Sequence, residues 1–299
     1  MIDGLVVVDK PPGMTSHDVV ARCRRIFGQR RVGHAGTLDP DATGVLLVGL
    51  GRATRLLQFL SGQPKSYDGE VVLGVATSTL DSSGTETARW DMAATTIDAA
   101  RAAACGLTGD IDQVPPMVSA IKIGGRRLHQ LARDGVEVDR PPRRVTVSRF
   151  DVDWAEDHDP GPRGGGPVLA VSVDCSAGTY VRTLAADLGS ALGGGAHLRR
   201  LRRRSVGTFA TSEAIPLDEL GPDGVLPPAA ALRHMATVTV AAELAAAIGH
   251  GKVVEAAELD VVGSGPWAVL GTDGDLMAVY RAHGNGRAKP VVVMAPQDR

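Results

Sequence analysis

The chain has 299 residues, of which 43% are apolar and 22% charged, and this length predicts one large domain plus a small one. The formal net charge of −2 gives no global sign of a polyanionic partner. Three widely spaced cysteines without a CxxC motif argue against a disulfide framework or a zinc site. No run of about 18 apolar residues predicts a membrane span, and the opening MIDGLVVVDKPPG lacks a signal-peptide pattern, so we expect a cytoplasmic protein.

Apolar runs and alternating patterns predict the strands of the first two thirds of the chain. The predicted strands are residues 4–8, 45–51, 65–79, 145–155, 167–178 and 205–210. The predicted helices are residues 17–27, 53–60, 96–107 and 179–192. We expect Thr15 or Ser16 to cap the first of these helices, because a side-chain hydroxyl there accepts from a free backbone N–H.

Segments rich in turn-forming residues interrupt these elements. Residues 33–44 are rich in glycine, proline and aspartate and predict a loop. Residues 113–144 are basic and turn-rich, and they predict a long excursion from the core. After a linker-like stretch at 216–228, short apolar runs surround an alanine-rich helix at 241–248, a spacing typical of a small β-barrel.

Basic side chains are concentrated in one short run of the sequence. Residues 197–204 read HLRRLRRR and contain five arginines, whereas acidic residues gather at 151–159 and 213–223. Such segregation of charge permits one basic, nucleic-acid-binding face on a nearly neutral protein. The alternative is that these arginines form an ordinary solvated helix face.

The clearest candidate for chemistry is Asp39, within the residues GHAGTLDPDATGVL at 33–46. Pro40 disfavours the helical conformation at Asp39, and the neighbouring glycines allow sharp turns and the close approach of a ligand. A carboxylate on such a loop can project into a cleft beside the following strand. The alternative is a surface turn, because Asp-Pro sequences are common in turns.

Further candidates lie elsewhere, and each has an ordinary structural alternative. Arg182, at a predicted strand-to-helix junction, is a candidate ionic partner for a buried carboxylate, or else a helix-surface arginine. Tyr67 is a candidate for stacking on a base, or else a core aromatic. His34 is a candidate wedge or orienting group near the bases, or else a structural histidine. For Lys10, we favour packing beneath the loop over contact with a phosphate.

Five blocks of sequence follow one another in order. The blocks are GLVVVDKPPGMTSHDVV, RVGHAGTLDPDATGVLLVGLGRATR, KSYDGEVVLGVATSTLDSSG, QVPPMVSAIKIGGRRLHQLARDGVEV and CSAGTYVRTLAADLGSALGGGAHLRRLRRRSVG. They span residues 4–210 of the chain. In these blocks the sequence resembles the tRNA pseudouridine-55 synthases, the TruB family. The resemblance implies an enzyme that isomerises a T-loop uridine (U55) of tRNA to pseudouridine.

The resemblance assigns the catalytic roles residue by residue. It implies that Asp39 is the catalytic aspartate and that Arg182 pairs with it. Tyr67 matches the tyrosine that stacks on the target uracil, and His34 matches a histidine that stabilises the opened RNA loop. Loss of the implied pairing between Arg182 and Asp39 would raise the pKa of the aspartate and remove its reactive form.

The remaining implied contacts surround the uridine and the RNA. Tyr180 and Leu201 match positions that line the uridine pocket. Residues 116–140 match a mobile insertion that closes over the RNA, and Val118 stands where the family often has an aromatic residue. The predicted RNA-binding residues are basic: Lys122, Arg126, Arg127, Arg199, Arg200 and Arg202.

The resemblance also implies the fold class and the domain organisation. We expect an α+β pseudouridine synthase fold, with a mixed, mostly antiparallel sheet flanked by helices and loops. Residues 1–233 would form the catalytic domain and contain the insertion at about 116–140. Residues 234–299 match only loosely and resemble a small β-barrel, PUA-like RNA-binding domain.

The implied reaction needs little besides an ionised carboxylate in a dry pocket. Because pseudouridine is an isomer of uridine, we expect no cofactor and no metal. The carboxylate could attack C1′ or uracil C6, or remove a ribose C2′ proton, and the sequence leaves these routes open. Tyr67 is of a residue type that can remove the C5 proton, and it would already lie against the base. The uridine must first be flipped out, which costs on the order of a few kcal/mol.

We expect the partner to be the T-arm of tRNA, bound by a stand-alone monomer without an obligate protein partner or a membrane. One alternative is an aspartyl-phosphate phosphatase, because DPDAT fits its DxDxT pattern, although the apolar strand follows the motif here instead of preceding it. A second alternative is a non-catalytic RNA-binding protein. A third is the same chemistry guided by a small RNA within a larger particle, as in related archaeal and eukaryotic enzymes.

Overall fold

The computed structural model describes residues 2–119, 122–123, 125–127, 134, 136, 138–157, 159 and 164–294. The chain divides into two compact units. The terminal unit consists of Met1–Gln63 and Ser205–Arg299, and the central unit is Pro64–Arg204. These units do not coincide with the expected domains 1–233 and 234–299, whose boundary stays a prediction.

Strands and short helices alternate along the chain. The strands are β1 (Gly4–Lys10), β2 (Val32–Ala35), β3 (Thr43–Leu50), β4 (Lys65–Leu73), β5 (Val75–Thr77), β6 (Glu86–Arg89), β7 (Gly109–Gln113), β8 (Lys122–Ile123), β9 (Arg126–Arg127), β10 (Arg143–Trp154), β11 (Val168–Cys175), β12 (Ala196–Val206), β13 (Phe209–Ala210), β14 (Ile215–Pro216), β15 (Ala236–Thr239), β16 (Val254–Glu255), β17 (Trp267–Leu270), β18 (Leu276–His283) and β19 (Arg287–Val293). The α-helices are α1 (Ser16–Ile26), α2 (Leu57–Ser61), α3 (Ile97–Gly106), α4 (Val181–Ala191) and α5 (Ala242–Gly249).

In the terminal unit, the first predicted strand and helix are confirmed. β1 pairs antiparallel with β3 along its whole length, and both are almost fully buried. Thr15 caps α1, because its side chain accepts from the backbone N–H of Asp18 while the Asp18 carboxylate accepts from the backbone N–H of Thr15. Such a cap contributes about 1 kcal/mol. It fixes where the helix begins and therefore where Ser16 lies.

The segment predicted as a loop at 33–44 begins instead as a strand. β2 pairs antiparallel with β3, and His34 lies opposite Val48. Gly33 and Ala35 have small side chains, and the backbone of β2 pairs along the edge of β3. The loop is therefore shorter than predicted. The predicted helix 53–60 also differs, since it starts as a 3₁₀ turn at Gly51–Leu56 and becomes α-helical only at α2.

The last strands form an open sheet in the order β15-β17-β18-β19-β16. Its core includes Trp267, Tyr280 and Ile248, and the Tyr280 hydroxyl donates to the carbonyl of Lys252 at 2.7 Å. Within residues 236–294, the two edge strands β15 and β16 do not pair with each other. The short strands and the helix at 241–248 were correctly predicted, but the expected closed PUA-like barrel is not confirmed.

In the central unit, strands lie in the order β12-β4-β11-β10-β7. β4 pairs antiparallel with β11, and β10 pairs antiparallel with both β11 and β7. The predicted strands and helices of this unit are confirmed, and together with the terminal unit they establish the α+β class. The arginine run at 197–204 lies in β12, so the interpretation of it as a helix face is wrong.

No helix within the described part of the chain is both long enough and apolar enough to cross a membrane.

The three cysteines are free thiols: Cys23 and Cys175 are buried, and Cys105 is exposed. Burial raises the pKa of both buried thiols to about 11. Both therefore stay protonated near neutral pH, where a thiol is a weak nucleophile.

Candidate active site

Asp39 lies in the loop between β2 and β3, and buried groups beneath hold this loop in place. The hydroxyl of Ser16, which is 1% exposed, accepts from the backbone N–H of Leu38 at 2.9 Å and donates to the carbonyl of Leu38 at 3.1 Å. One residue later, the carbonyl of Asp39 accepts from the backbone N–H of Ala42 at 3.2 Å. The backbone on both sides of the carboxylate is therefore fixed by hydrogen bonds.

Lys10 supports the same loop from the end of β1. Its side chain is fully buried, and its ammonium group donates to the carbonyls of Pro11, Met14 and Pro40 at 2.8, 2.6 and 2.8 Å. These carbonyl oxygens compensate for the removal of the ammonium from water. The favoured interpretation of Lys10 as a structural residue is therefore confirmed.

His34 lies on β2, a few residues before Asp39, and is half-buried. Its ring contacts the ring of His17 edge-on, with 5.3 Å between the ring centres and an angle of 83° between the planes. His17 is the second residue of α1. In the terminal unit, His34 thus lies near the end of β2, and Asp39 lies in the loop that connects β2 to β3.

Arg182 lies in the first turn of α4 in the central unit and is 5% exposed. One guanidinium nitrogen donates to the carbonyl of Thr79 at 3.0 Å and to the carboxylate of Asp81 at 3.1 Å. The other terminal nitrogen donates to the carbonyl of Val118 at 2.9 Å. Acceptors on different sides fix the plane of the guanidinium as well as its position.

Asp81 is an ionic partner of Arg182 that the sequence reasoning missed. One of its carboxylate oxygens accepts from the hydroxyls of Thr79 and Ser83, each at 2.6 Å, and from the Ser83 backbone N–H at 3.0 Å. The other oxygen pairs with Arg182. Asp81 begins the residues DSSG at 81–84, which are typical of a turn, and no local pattern distinguishes its carboxylate from that of an ordinary turn former.

The aromatic candidates also lie in the central unit. Tyr67 is 8% exposed on β4, opposite Val173 of β11. Tyr180 is half-buried and is the N-cap residue of α4. Leu201 is half-buried on β12. The uridine-pocket roles of these three residues stay predictions from the resemblance.

Lys65 lies two residues before Tyr67 on β4 and is another feature that the sequence reasoning missed. Its side chain is 7% exposed. Burial, with the nearby charge of Arg203, lowers the pKa of its ammonium to about 8. Arg203 is itself 1% exposed. The central unit thus contains buried cationic side chains. The sequence alone does not distinguish them from lysines and arginines on the surface.

The arginines of β12 divide between its two faces, because side chains alternate along a strand. The side chain of Arg199 is 10% exposed and bonds to Glu70 at 2.7 Å and to Asp157 at 3.3 Å. Arg200 is 63% exposed, with longer contacts of 3.3 Å to the same two carboxylates. Arg202 is half-buried on the face of Arg200. These positions favour Arg200 over Arg199 as a contact for RNA.

The insertion at 116–140 is only partly described. Its strands β8 and β9 form a short hairpin in which Lys122 lies opposite Arg127 and Ile123 lies opposite Arg126. Arg126 is exposed and bonds to Asp134. The predicted closing movement of the insertion stays a prediction, and part of it falls on residues outside the described ones, namely 120–121, 124, 128–133, 135 and 137.

Two family models match consecutive parts of the chain. Residues 24–181 match the N-terminal domain of the TruB family of pseudouridylate synthases. Residues 182–223 match the C-terminal domain of tRNA pseudouridylate synthase B. The chain belongs to the TruB family. It is therefore an isomerase that forms pseudouridine in tRNA, as the resemblance of the five blocks predicted.

Curated relatives and solved structures agree with this assignment. The chain is 48% identical to tRNA pseudouridine synthase B of Mycolicibacterium paratuberculosis, over 98% of both chains. It is 50% identical to the protein of that name from Symbiobacterium thermophilum, over 84% of this chain and 82% of the relative. A structure titled as an H/ACA RNP bound to a substrate RNA containing 2′-deoxyuridine matches with a TM-score of 0.73 and 25% identity, covering 99% and 86% of the chains. A Cbf5-Nop10-Gar1 complex matches with a TM-score of 0.72 and 27% identity, over 98% and 84%. The pseudouridine synthase fold is therefore confirmed.

Proposed function

We propose that this TruB family member acts on uridine 55 in the T loop of tRNA and that Asp39 is its catalytic carboxylate. The observation that most supports the role of Asp39 is the clamped loop between β2 and β3. Lys10 and Ser16 hold the residues on both sides of Asp39. A buried lysine and a buried serine both bond to this one short turn, which indicates that the direction of the Asp39 carboxylate is important for function.

The proposed chemistry follows from the isomerisation itself. Asp39 acts in its ionised form, and Arg182 is the cation that keeps it ionised in a site from which water is excluded. The carboxylate attacks C1′ or uracil C6, or it removes the C2′ proton; the N1–C1′ bond breaks, and C5 then bonds to C1′. C5 loses its proton, N1 gains one, and the carboxylate is released or its proton returns to C2′, so that the product is an isomer of uridine. Tyr67 stacks on the uracil, and Tyr180 and Leu201 line the pocket. His34 stabilises the RNA loop from which the uridine is flipped.

Arg200 illustrates how the basic residues would contribute to RNA binding. Replacing it with glutamine is expected to raise KM for tRNA about three- to tenfold with kcat unchanged, because an exposed arginine that meets a phosphate supplies affinity only. The slope of log KM against log salt should fall by roughly 0.7–0.9, the value for one lost phosphate contact. The matched control is Arg101→Gln, an exposed arginine that is paired with Asp153. Equal salt slopes in the two variants would remove Arg200 from the RNA-binding face.

The remaining proposals concern organisation. Residues 234–299 would be a PUA-like RNA-binding domain attached to a catalytic domain at 1–233, since one set of buried residues of the C-terminal sheet packs only within that segment. We propose a stand-alone cytoplasmic monomer that binds the T-arm. The chain is 48% identical to a relative named for tRNA alone and only 25–27% identical to the chains from H/ACA complexes, which favours the stand-alone form.

The test is incubation of the purified protein alone with unmodified tRNA transcript, followed by mapping of pseudouridine. We expect modification at U55 only, no modification of a transcript with cytidine at that position, and turnover of an isolated T-arm. Modification that required a guide RNA or partner proteins would favour the guided form. Binding without turnover would favour the RNA-binding alternative, and Mg²⁺-dependent phosphate release would favour the phosphatase.

A further inference from the structure

The side-chain amide of Gln113 forms two hydrogen bonds to the backbone of Tyr180. Its nitrogen donates to the carbonyl of Tyr180 at 3.1 Å, and its oxygen accepts from the backbone N–H of Tyr180 at 2.7 Å. Gln113 is the last residue of β7 and is 2% exposed. One buried side chain therefore satisfies both polar backbone atoms of a single distant residue.

Tyr180 is the residue from which α4 begins. It has extended backbone angles and no side-chain cap hydrogen bond. Its carbonyl also accepts the first hydrogen bonds of the helix, from the N–H groups of Thr183 and Leu184, each at 3.1 Å. The amide of Gln113 thus fixes the start of the helix in which Arg182 is the second residue.

The segment that begins with Gln113 contacts this helix a second time. Val118, five residues further on, accepts a hydrogen bond from the Arg182 guanidinium through its carbonyl. Pro115 and Pro116 lie between the two contacts and restrict the backbone. Residues 113–118 therefore hold both the backbone at Tyr180 and the tip of the Arg182 side chain.

We propose that Gln113 is a positioning residue for pseudouridine formation, which holds the Tyr180 backbone and thereby directs Tyr180 and Arg182 in the site. This inference rests on the proposed function, which assigns roles to those two residues. Because Gln113 acts through them, its loss changes the geometry of reacting groups more than the binding of tRNA. Small displacements of such groups reduce the rate of chemistry far more than they reduce affinity.

The chain contains a matched control for this contact. Gln29 is 9% exposed, and its amide forms the same pair of hydrogen bonds with the backbone of Ile2, donating at 3.0 Å and accepting at 2.8 Å. No role in catalysis or RNA binding is assigned to Ile2 or Gln29. A comparison of the two glutamines therefore separates loss of a buried double hydrogen bond from loss of positioning at α4.

The first experiment compares Gln113→Met with Gln29→Met in multiple-turnover kinetics on tRNA transcript, together with thermal unfolding. We expect kcat to fall about 10- to 100-fold in Gln113→Met with KM within about threefold of wild type. In Gln29→Met both constants should stay within about twofold, although its unfolding temperature also falls. A kcat near the wild-type value in folded Gln113→Met, or an equal loss of kcat in Gln29→Met, would overturn the proposal.

A second variant, Gln113→Glu, keeps the test decisive if the methionine variant does not fold. A protonated glutamic acid has one donor and one acceptor, so it can replace both hydrogen bonds, whereas its ionised form has acceptors only. The ratio of its kcat to that of wild type is expected to be highest near pH 6 or below and to fall as pH rises to about 8. A ratio that is the same across this range would contradict positioning by the amide.

Asp39→Asn, measured in the same assay, separates failure of this inference from failure of the proposed function. If Asp39→Asn is inactive while Gln113→Met has the wild-type kcat, the positioning role alone is wrong. If Asp39→Asn retains wild-type activity, the site assignment on which the inference rests is wrong.

Discussion

Replacing Asp39 with asparagine is expected to reduce pseudouridine formation by at least about a thousandfold while tRNA affinity stays within about tenfold of wild type. The amide has nearly the shape of the carboxylate, so the clamped loop can keep its conformation. It is neutral, however, and can neither attack C1′ or C6 nor remove a proton from C2′. The measurement is release of tritium from uridine labelled at C5, together with binding of the same tRNA under equilibrium conditions.

Asp41→Asn is the control, because Asp41 is an exposed carboxylate in the same loop. Its activity should remain within about twofold of wild type, since a solvated surface charge contributes little to a buried site. Equal activity of the Asp39 and Asp41 variants would remove Asp39 from its proposed role. A large loss of tRNA affinity in Asp39→Asn would show that the carboxylate acts in binding instead of chemistry.

Replacing Arg182 with lysine is expected to lower kcat at least about 100-fold, even though the positive charge is kept. Two different guanidinium nitrogens donate to these acceptors, one to Thr79 and Asp81 and the other to Val118. The single nitrogen of a lysine cannot occupy both positions. At least one of these acceptors would then lose its donor, and the half-buried Asp81 carboxylate would lose the fixed geometry of its ion pair. Single-turnover rates at saturating enzyme measure this loss directly.

Arg149→Lys provides the comparison in the same unit. Arg149 bonds to Asp174 and Asp151 but is 44% exposed, so water replaces any hydrogen bond that lysine does not form. We expect its single-turnover rate to equal that of wild type. A rate for Arg182→Lys close to wild type would show that charge alone is sufficient and that the fixed plane of the guanidinium has no role.

Local patterns predicted most elements of the chain because short-range physics decides them. The cap at Thr15 and the helix that it begins lie within one short stretch of sequence, and both were found where predicted. In the strands β10 and β11, buried apolar residues alternate with more exposed ones over much of the length, and both strands were also found where predicted. The Asp39 loop was recognised because Pro40 restricts the backbone conformation of Asp39 and the neighbouring glycines allow sharp turns.

The errors arose where a neighbouring strand decided the conformation. The arginines of β12 have side chains compatible with a helix, but Glu70 on β4 and Asp157 bind them in an extended strand. The residues of β2 look like a loop until β3 lies beside them. The C-terminal strands were found individually, yet their number and spacing did not determine whether the sheet closes into a barrel.

The sequence by itself determined the family, the chemistry and the residue proposed to perform it, because an ordered set of motifs preserves the identities of the side chains. Only the tertiary structure decided how those side chains are held. Lys10 with Pro40, Arg182 with Asp81, and Gln113 with Tyr180 are separated by 30, 101 and 67 positions. Hydrogen bonds over such separations depend on how strands and helices pack, and no local pattern records them.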